Sequence, residues 1–313
     1  MGLKHAQGWV DSAAYYGYGA MIGDLMRLRR HYPFLRWGNA GYSVYGRCIP
    51  YLRLGIGPHR VFFNGAHHGM EWITAALLMR FAENYLSACV SGRLLGGFHA
   101  GELWNRASLY IMPMVNPDGV VLATEGPEAF GEEAGHLLKL NGGNPDFRTC
   151  WQANGRGVDL NHNYPARWEE SKHLENAFGI QGPGPTRFFG PRPLSEPETQ
   201  AVHRFTLLNG FHLVLAYHSQ GKVIYWDFDG LRLPEGQQIG SLFARLSGYT
   251  LDSPEGIASF GGYKDWFILH YRRPGFTIEA GEGVNPLPLT QLDEIYGQNE
   301  GILLTAAALQ LYA

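Results

Sequence analysis

The sequence predicts an α/β fold with a largely parallel or mixed sheet. Apolar runs of strand length occur within residues 60–66, 108–119, 211–219 and 274–283, and helical patterns lie between them. Strands that are apolar throughout are typical of sheets covered by helices on both faces. Their alternation with helices is the pattern of an α/β protein.

The first part of the chain predicts a helix, a strand and a second helix. Met21, Leu25 and Leu28 fall on one helical face. Residues 31–41 end this helix, and the run at 60–66 follows as a buried strand that Gly65 breaks. Apolar residues spaced four apart then predict an amphipathic helix. These residues are Ile73, Leu77, Phe81 and Tyr85.

The rest of the chain predicts loops followed by further helices and strands. Residues 125–193 are rich in Gly, Pro and Asn, so we expect long loops that carry function. In "LSEPET", Ser195 and Glu198 have the spacing of a helix capping box. Residues 292–311 predict a C-terminal helix.

Composition favours a globular enzyme and argues against a nucleic-acid partner. The chain has 313 residues, 45% of them hydrophobic, which is ample for a sizeable core. A net charge of −3 provides no basic face for nucleic acid. We expect one catalytic domain over residues 1–313, with residues 1–50 as part of it.

Cysteine usage and hydropathy bear on the compartment. The three cysteines are widely spaced and odd in number, so a disulfide framework is not expected and a reducing compartment is favoured. No apolar stretch is long enough to span a bilayer, and the first residues lack a signal-peptide pattern. We therefore expect no membrane partner.

Two histidines and a glutamate begin the stretch "GAHHGMEWITAALLM". The spacing of His68 and Glu71 puts both side chains on one side of a tight turn. Imidazole and carboxylate are good zinc ligands, and catalytic zinc sites often use two histidines and one glutamate. His218 ends an apolar strand, where ligands of α/β sheets bind, so it is the best third ligand.

Each of these residues also has an ordinary structural explanation. The spacing HxxE arises often by chance, and a histidine at a helix start is commonly solvated or capping. His218 alone could be a hydrogen-bonded strand end. His67 is adjacent to His68 but should point elsewhere, so we interpret it as structural.

Further segments make the metal interpretation specific. From about Tyr18 to the C-terminus, the chain resembles the zinc metallocarboxypeptidases. The resemblance rests on seven segments in the order of that family: "HGMEWIT", "NPDG", "GVDLNHN", "LSEPET", "YHSQG", "GGYKDW" and "FTIEAGEG". It implies a mixed, twisted eight-stranded sheet flanked by helices. It also implies one zinc ion, held by His68, Glu71 and His218.

The resemblance assigns a mechanism as well. Zinc acidifies bound water, and Glu279 matches the family's catalytic glutamate, which takes the proton of that water and returns it to the leaving amine. Family members place an arginine before the GVDLN segment to stabilise the oxyanion. Arg156 and Arg148 are the near matches, in that order of preference, and Gln152 lies where some relatives carry a base.

Departures from the family pattern bear on the substrate. Exopeptidase relatives read "NRN", with an arginine that clamps the terminal carboxylate, where this chain has Asn161, His162 and Asn163. Histidine cannot reproduce that bidentate fork. The family's substrate-capping tyrosine would fall at Ile257, so its hydroxyl is missing. Asn161, His162 and Lys264 are the expected substrate contacts.

The segments around GVDLN and GGYKDW look like a bacterial branch that hydrolyses the γ-D-glutamyl–meso-diaminopimelate bond of peptidoglycan peptides. We expect that activity, in a cytoplasmic enzyme of cell-wall recycling, because no wall-binding repeat is present. The alternative is a metallocarboxypeptidase or amide deacylase of other specificity. A binding protein that kept the fold but lost catalysis is a third hypothesis, and the intact ligand set argues against it.

Overall fold

A mixed eight-stranded sheet forms the centre of the molecule. The computed structural model describes residues 15–254 and 260–309. The strands of this sheet are β1 (Arg36–Tyr42), β2 (Cys48–Leu54), β3 (His59–Gly65), β6 (Ala107–Met112), β7 (Leu213–His218), β8 (Val223–Tyr225), β9 (Thr250–Asp252) and β10 (Gly275–Glu279). Two further short strands, β4 (Leu94–Leu95) and β5 (Phe98–His99), pair with each other.

The sheet is parallel at its centre and mixed towards its sides. Its strand order is β1-β2-β6-β3-β7-β10-β8-β9. Strand β3 pairs in parallel with β6 and β7, and β10 pairs in parallel with β7. The pairs β1–β2, β2–β6 and β8–β10 are antiparallel. The carboxyl ends of β3, β7 and β10 therefore lie at one edge of the sheet.

Helices cover both faces of the sheet. They are α1 (Tyr18–His31), α2 (Trp72–Ser91), α3 (Ala100–Arg106), α4 (Pro117–Glu125), α5 (Ala134–Leu140), α6 (Trp168–Ala177), α7 (Pro197–Asn209), α8 (Pro234–Ser247), α9 (Tyr263–Tyr271) and α10 (Leu292–Ala308). Along β3, Val61 and Phe63 pack into the core formed with α1, α2 and α10. Phe62 faces the other way, into the core formed with α7 and α9. This alternation explains why the central strands are apolar throughout.

Most of the predicted elements are confirmed, including the eight-stranded mixed sheet. The helix predicted from Ile73 to Tyr85 lies inside α2. The region 125–193 was predicted as loops, but it also contains α5 and α6. That residues 1–313 form a single domain stays a prediction.

The predicted capping box at the start of α7 is wrong. The N-cap position is Glu196, and no side chain caps this helix. Ser195 donates its hydroxyl to Glu196 Oε1 at 2.7 Å instead. Glu198 is fully buried and serves tertiary contacts: it accepts hydrogen bonds from Val44 N at 3.0 Å and from Asn154 Nδ2 at 3.1 Å.

The cysteines and the helices bear on the expectations about disulfides and membrane spans. Cys48, Cys89 and Cys150 are free thiols. Among the described residues, no helix has the length and apolar character needed to cross a membrane.

The buried Glu198 should make stability depend on pH. Burial raises the pKa of this carboxyl from 4.5 to about 8. The folded protein therefore holds a proton that the unfolded chain has lost, and the free energy of unfolding should fall as pH rises through this interval. Glu198→Gln should remove that contribution, so its stability relative to wild type should improve steadily from about pH 5 to about pH 8.

Urea denaturation at several pH values within this range measures the effect. The exposed Glu128 provides the matched control, Glu128→Gln. The test is how the difference in unfolding free energy between Glu198→Gln and wild type changes with pH. The size of the difference at one pH is not used, because the substitution also alters hydrogen bonds. A difference that does not change with pH would contradict the prediction.

Candidate metal centre

His68 and Glu71 lie on the turn between β3 and α2. Glu71 is the residue before the first turn of α2, and its backbone N–H donates to His68 O at 3.1 Å, which closes a tight turn. Gly69 lies between them, where a Cβ would come within 2.4 Å of the Gly119 carbonyl oxygen. The absence of a side chain at this position lets the turn pack closely. Both functional side chains consequently point to the same side, with His68 Nδ1 and Glu71 Oε1 2.8 Å apart.

His218, the last residue of β7, completes the His-Glu-His cluster. Its Nδ1 lies 3.0 Å from Glu71 Oε2 and 3.3 Å from His68 Nδ1. One donor atom from each of the three residues lies within 4.8 Å of the others. The structure therefore brings together all three residues that the sequence predicted as metal ligands.

The donor set fits a zinc ion. In tetrahedral zinc sites, Zn–N bonds of about 2.0–2.1 Å separate two ligand nitrogens by roughly 3.3–3.4 Å. The two imidazole nitrogens of the cluster are 3.3 Å apart, and the Glu71 carboxylate contacts both. The two imidazole nitrogens and the carboxylate oxygens face one another. A cation bound between them stabilises this arrangement, because all three groups can bind it.

The electrostatics of the cluster favour an ionised carboxylate. Burial opposes the charge of Glu71, but His68 and His218 outweigh it and lower the pKa of this carboxyl to about 2. Burial would also lower the pKa of His68, yet the carboxylates of Glu71 and Asp159 raise it well above its ordinary value. The site therefore combines concentrated negative charge with nitrogen donors, as a divalent cation requires.

Asp159 supports the cluster and was not singled out in the sequence. Its Oδ1 lies 3.2 Å from His68 Nε2, the ring nitrogen that faces away from Glu71. Metal-binding histidines commonly place their second nitrogen against a carboxylate, which fixes the ring and its tautomer. That rule predicts an acid behind His68, but 91 residues separate the two in the chain. No local sequence pattern therefore points to Asp159.

His67 lies behind the cluster, as its structural interpretation requires. It is fully buried, and its Nε2 lies 3.1 Å from the hydroxyl of Tyr164. Its ring stacks against that of His218, with centroids 5.5 Å apart. Burial lowers the pKa of His67 well below its ordinary value, so the ring is a neutral support for His218.

Glu279 reaches the same edge of the sheet from β10. It is the parallel neighbour of His218, and the backbone N–H of Ala280 donates to His218 O at 2.8 Å. Burial raises the pKa of the Glu279 carboxyl to about 7, while the cationic forms of His218 and His68 oppose this rise. A carboxylate next to the cluster is thus held by strand pairing rather than by a flexible loop.

The side-chain contacts of the two predicted oxyanion arginines are with residues outside the His-Glu-His cluster. Arg156 has its guanidinium against Glu196, with Nη1 and Oε2 3.7 Å apart. The guanidinium of Arg148 lies 5.9 Å from the centre of the Tyr15 ring. Neither contact involves the His-Glu-His cluster, and the oxyanion role stays a prediction for both residues. Gln152 is closer, since its backbone oxygen accepts a hydrogen bond from Gly69 N at 2.9 Å.

The side chains predicted to contact the substrate make hydrogen bonds within the protein. Asn161 Oδ1 accepts from Tyr263 N, the first residue of α9, at 3.1 Å. The Nδ1 of His162 lies 3.3 Å from the Ser171 hydroxyl. Lys264 is 3% exposed; its ammonium donates to Asp227 O at 2.6 Å and contacts the Asp265 carboxylate.

These placements leave the substrate roles as predictions. Lys264 cannot reach a substrate while its ammonium is bound inside the protein. The argument about the missing tyrosine concerns Ile257, which lies outside the described residues.

Replacing the support of His68 should weaken metal binding. Asp159→Asn keeps the size and an acceptor oxygen but removes the charge, so we expect zinc affinity to fall by roughly 10–100-fold. Competition with a fluorescent zinc chelator measures the affinity directly. Asp252→Asn, at an exposed carboxylate of β9, is the control. Equal affinities in wild type and Asp159→Asn would refute the supporting role.

Comparisons with known proteins agree with this geometry. A sequence profile of the family "zinc carboxypeptidase" matches residues 21–300. The chain is 42% identical, over 94% of its length and 73% of the relative, to gamma-D-glutamyl-L-diamino acid endopeptidase 1 of Lysinibacillus sphaericus. It is 36% identical, over 97% of its length and 80% of the relative, to the uncharacterized protein YqgT of Bacillus subtilis.

Solved structures share the fold. Bovine thrombin-activatable fibrinolysis inhibitor superposes with a TM-score of 0.69 at 18% identity, covering 96% of this chain and 97% of that one. Murein-tripeptide amidase MpaA of Escherichia coli O157 gives a TM-score of 0.54 at 20% identity, covering 86% of this chain and 91% of that one. With the family profile and the relatives above, these findings establish that the chain belongs to the zinc carboxypeptidase family and that its cofactor is zinc.

Proposed function

We propose that this chain is a zinc peptidase that hydrolyses the γ-D-glutamyl–meso-diaminopimelate bond of peptidoglycan peptides. The observation that carries the proposal is the meeting of His68, Glu71 and His218 beside the Glu279 carboxylate. The bond itself is suggested by the relative from Lysinibacillus sphaericus, whose name states a γ-D-glutamyl-L-diamino acid endopeptidase. We place the activity in the cytoplasm, and fractionation of cells expressing the chain would test this location.

The four residues have separate tasks. His68, Glu71 and His218 would hold the zinc ion. When bound, zinc supplies a Lewis acid that polarises the scissile carbonyl and acidifies water. Glu279 accepts a proton from the attacking water on its carboxylate and then delivers it to the leaving amine nitrogen. One carboxylate can do both because the two transfers are consecutive.

The position of Glu279 suits this proton transfer. Its backbone is fixed on both sides, by β7 in parallel pairing and by β8 in antiparallel pairing. No hydrogen bond from the described residues engages its side-chain oxygens, so they remain available to water and substrate. Asp159, in contrast, has both oxygens engaged, by His68 Nε2, Asn161 N and Arg187 N. Asp159 is therefore a support and Glu279 the base.

The residue at position 162 bears on the choice between substrates. Buried carboxyl and hydroxyl groups surround its imidazole: Glu175 Oε1 lies 3.6 Å from Nδ1, and Ser171 Oγ lies 3.3 Å from it. An imidazole in this position cannot grip a carboxylate with two parallel hydrogen bonds as arginine does. This supports a substrate other than an ordinary C-terminal peptide. The alternative function is a metallocarboxypeptidase or amide deacylase of other specificity.

Removing the proposed base should separate catalysis from metal binding. Glu279→Gln is nearly isosteric and removes no metal ligand, so zinc content should stay near that of wild type. Turnover should fall by roughly 10²–10⁴-fold, the usual contribution of a general base. Steady-state kinetics and zinc analysis of the same preparation give the two measurements. Glu282→Gln, at a nearby exposed carboxylate, is the control. Undiminished turnover in Glu279→Gln would eliminate the assigned role.

Product analysis distinguishes the proposed function from the alternative. Wild-type protein with zinc should convert L-Ala-γ-D-Glu-meso-diaminopimelate into L-Ala-D-Glu and free diaminopimelate, and chelation should abolish the reaction until zinc is restored. Mass spectrometry identifies the products. Release of a C-terminal amino acid from unblocked α-linked peptides, without cleavage of the γ-linked peptide, would favour the metallocarboxypeptidase.

A further inference from the structure

Arg187, whose guanidinium has no partner among the described residues, is joined through its backbone to the support of the metal centre. Arg187 belongs to the loop between α6 and α7, and its backbone N–H donates to Asp159 Oδ2 at 3.1 Å. The other oxygen of Asp159 contacts His68 Nε2 at 3.2 Å. Arg187 is therefore connected to a proposed metal ligand through a single intervening residue.

The loop around Arg187 is held firmly in place. The Pro185 carbonyl accepts hydrogen bonds from Gln152 N at 2.8 Å and Ala153 N at 3.0 Å. Thr186 donates its hydroxyl to the side chain of Gln152. Phe188 O accepts from Asp159 N at 2.8 Å. Every residue from 185 to 188 is thus bonded to a segment that also supports the metal centre.

The backbone of Arg187 is strained within this rigid frame. Its φ of 64° is in the left-handed region, which residues with a Cβ rarely adopt. Such a conformation persists only when surrounding contacts fix it, and it occurs disproportionately at functional sites. The strain turns the chain so that the backbone N–H of Arg187 faces Asp159 while the side chain remains exposed to solvent.

The charge of Arg187 is not neutralised by a contact. Across residues 15–254 and 260–309, its guanidinium makes no hydrogen bond or ion pair. Arg192, further along the same loop, instead donates to the Pro193 and Leu194 carbonyls at 3.5 and 3.4 Å. Arg187 is nonetheless close to two ionisable groups. Burial lowers the pKa of His162, and Arg187 lowers it further. Burial raises the pKa of Glu175 to about 7, against the influence of Arg187.

Glu175 does not act as the missing partner. It is fully buried, and neither of its carboxylate oxygens has a hydrogen-bond partner among the described residues. Its carboxylate lies 3.6 Å from Nδ1 of His162, whose pKa is lowered by burial. The guanidinium fork of Arg187 therefore remains available for an anion that enters from solvent.

We infer that Arg187 binds a free carboxylate of the substrate beside the scissile bond. This inference rests on the proposed function. A γ-linked D-glutamyl residue keeps its α-carboxylate, and diaminopimelate contributes carboxylates on the leaving side, so the substrate offers this group on both sides of the bond. Guanidinium binds carboxylate through two parallel hydrogen bonds. Because hydrogen bonds already hold the backbone of Arg187, the loop itself need not be ordered when the substrate binds.

Selective amidation of the substrate tests the inference and locates the carboxylate. Three peptides are compared: L-Ala-γ-D-Glu-meso-diaminopimelate, its form amidated on the glutamyl α-carboxylate, and its form amidated on the carboxylates of diaminopimelate. Each is assayed with wild type, Arg187→Gln, Arg187→Lys and the control Arg192→Gln. Zinc content and circular dichroism verify that each variant is folded and loaded.

We expect one amidation to lower kcat/KM of wild type by roughly 10–100-fold, the range for losing a charge-assisted hydrogen-bonded pair. Arg187→Gln should lower kcat/KM for the unmodified peptide by a similar factor. In that variant, the same amidation should lower kcat/KM little further. Arg187→Lys should recover part of the discrimination, and Arg192→Gln should behave as wild type. The amidation that loses its effect identifies the bound carboxylate.

Two outcomes overturn the inference and can be told apart. If Arg187→Gln discriminates between the three peptides as wild type does, Arg187 does not bind a carboxylate, while the proposed function stands. If wild type with zinc cleaves none of the peptides, the proposed function fails and the inference fails with it. A variant that loses zinc or folded structure is replaced in the comparison by Arg187→Lys, which keeps the charge and length.

Discussion

The parallel pairing of β3, β7 and β10 is the constraint on which the site depends. In this register Glu279 lies beside His218, and Gly65, which precedes the metal-binding turn, lies beside Tyr217. A slip of one residue would turn every side chain of a strand to the opposite face of the sheet. The apolar cores on both faces prevent such a slip, because Phe62 and Phe63 fill opposite sides of the same strand. Burial far from the site thus fixes which side chains meet at the strand ends.

Burying ionised carboxylates at this edge of the sheet costs free energy unless opposite charges lie close to them. Glu71 and Asp159 are both buried and stay ionised because His68 lies between them, and His218 adds to this effect at Glu71. The same contacts hold the rings of the two histidines in place. Hydrogen bonds and ring stacking behind the cluster, from Asp159 and His67, keep its geometry set before the ion binds. Metal affinity and local rigidity therefore have a common origin in this network.

The sequence predicts the sheet and the residues at its strand ends, but it does not predict the contacts that the loops make. Apolar strands follow local rules. His68, Glu71, His218 and Glu279 are predicted as site residues mainly because ordered segments of the chain resemble the zinc metallocarboxypeptidases. The capping box failed because Glu198 bonds to Val44, 154 positions away, and no local pattern encodes that partner. Arg156 and Arg148 were chosen by their distance from the GVDLN segment. Distance along a loop does not determine direction. The guanidinium of Arg156 lies against Glu196 and that of Arg148 lies near Tyr15, and the oxyanion role of both stays a prediction.

The two parts of the site therefore come from different kinds of structure. The proposed metal ligands and the proposed base lie at or next to strand ends, where position is set by the core. Asp159, His162 and Arg187 lie in the region 125–193, which is shaped by hydrogen bonds between distant residues such as those from Gln152 and Ala153 to Pro185. Changes in that region can alter which groups surround the substrate without disturbing the strands that hold the ion. The residues proposed to contact the substrate therefore depend on contacts between distant segments, which a local sequence pattern does not encode.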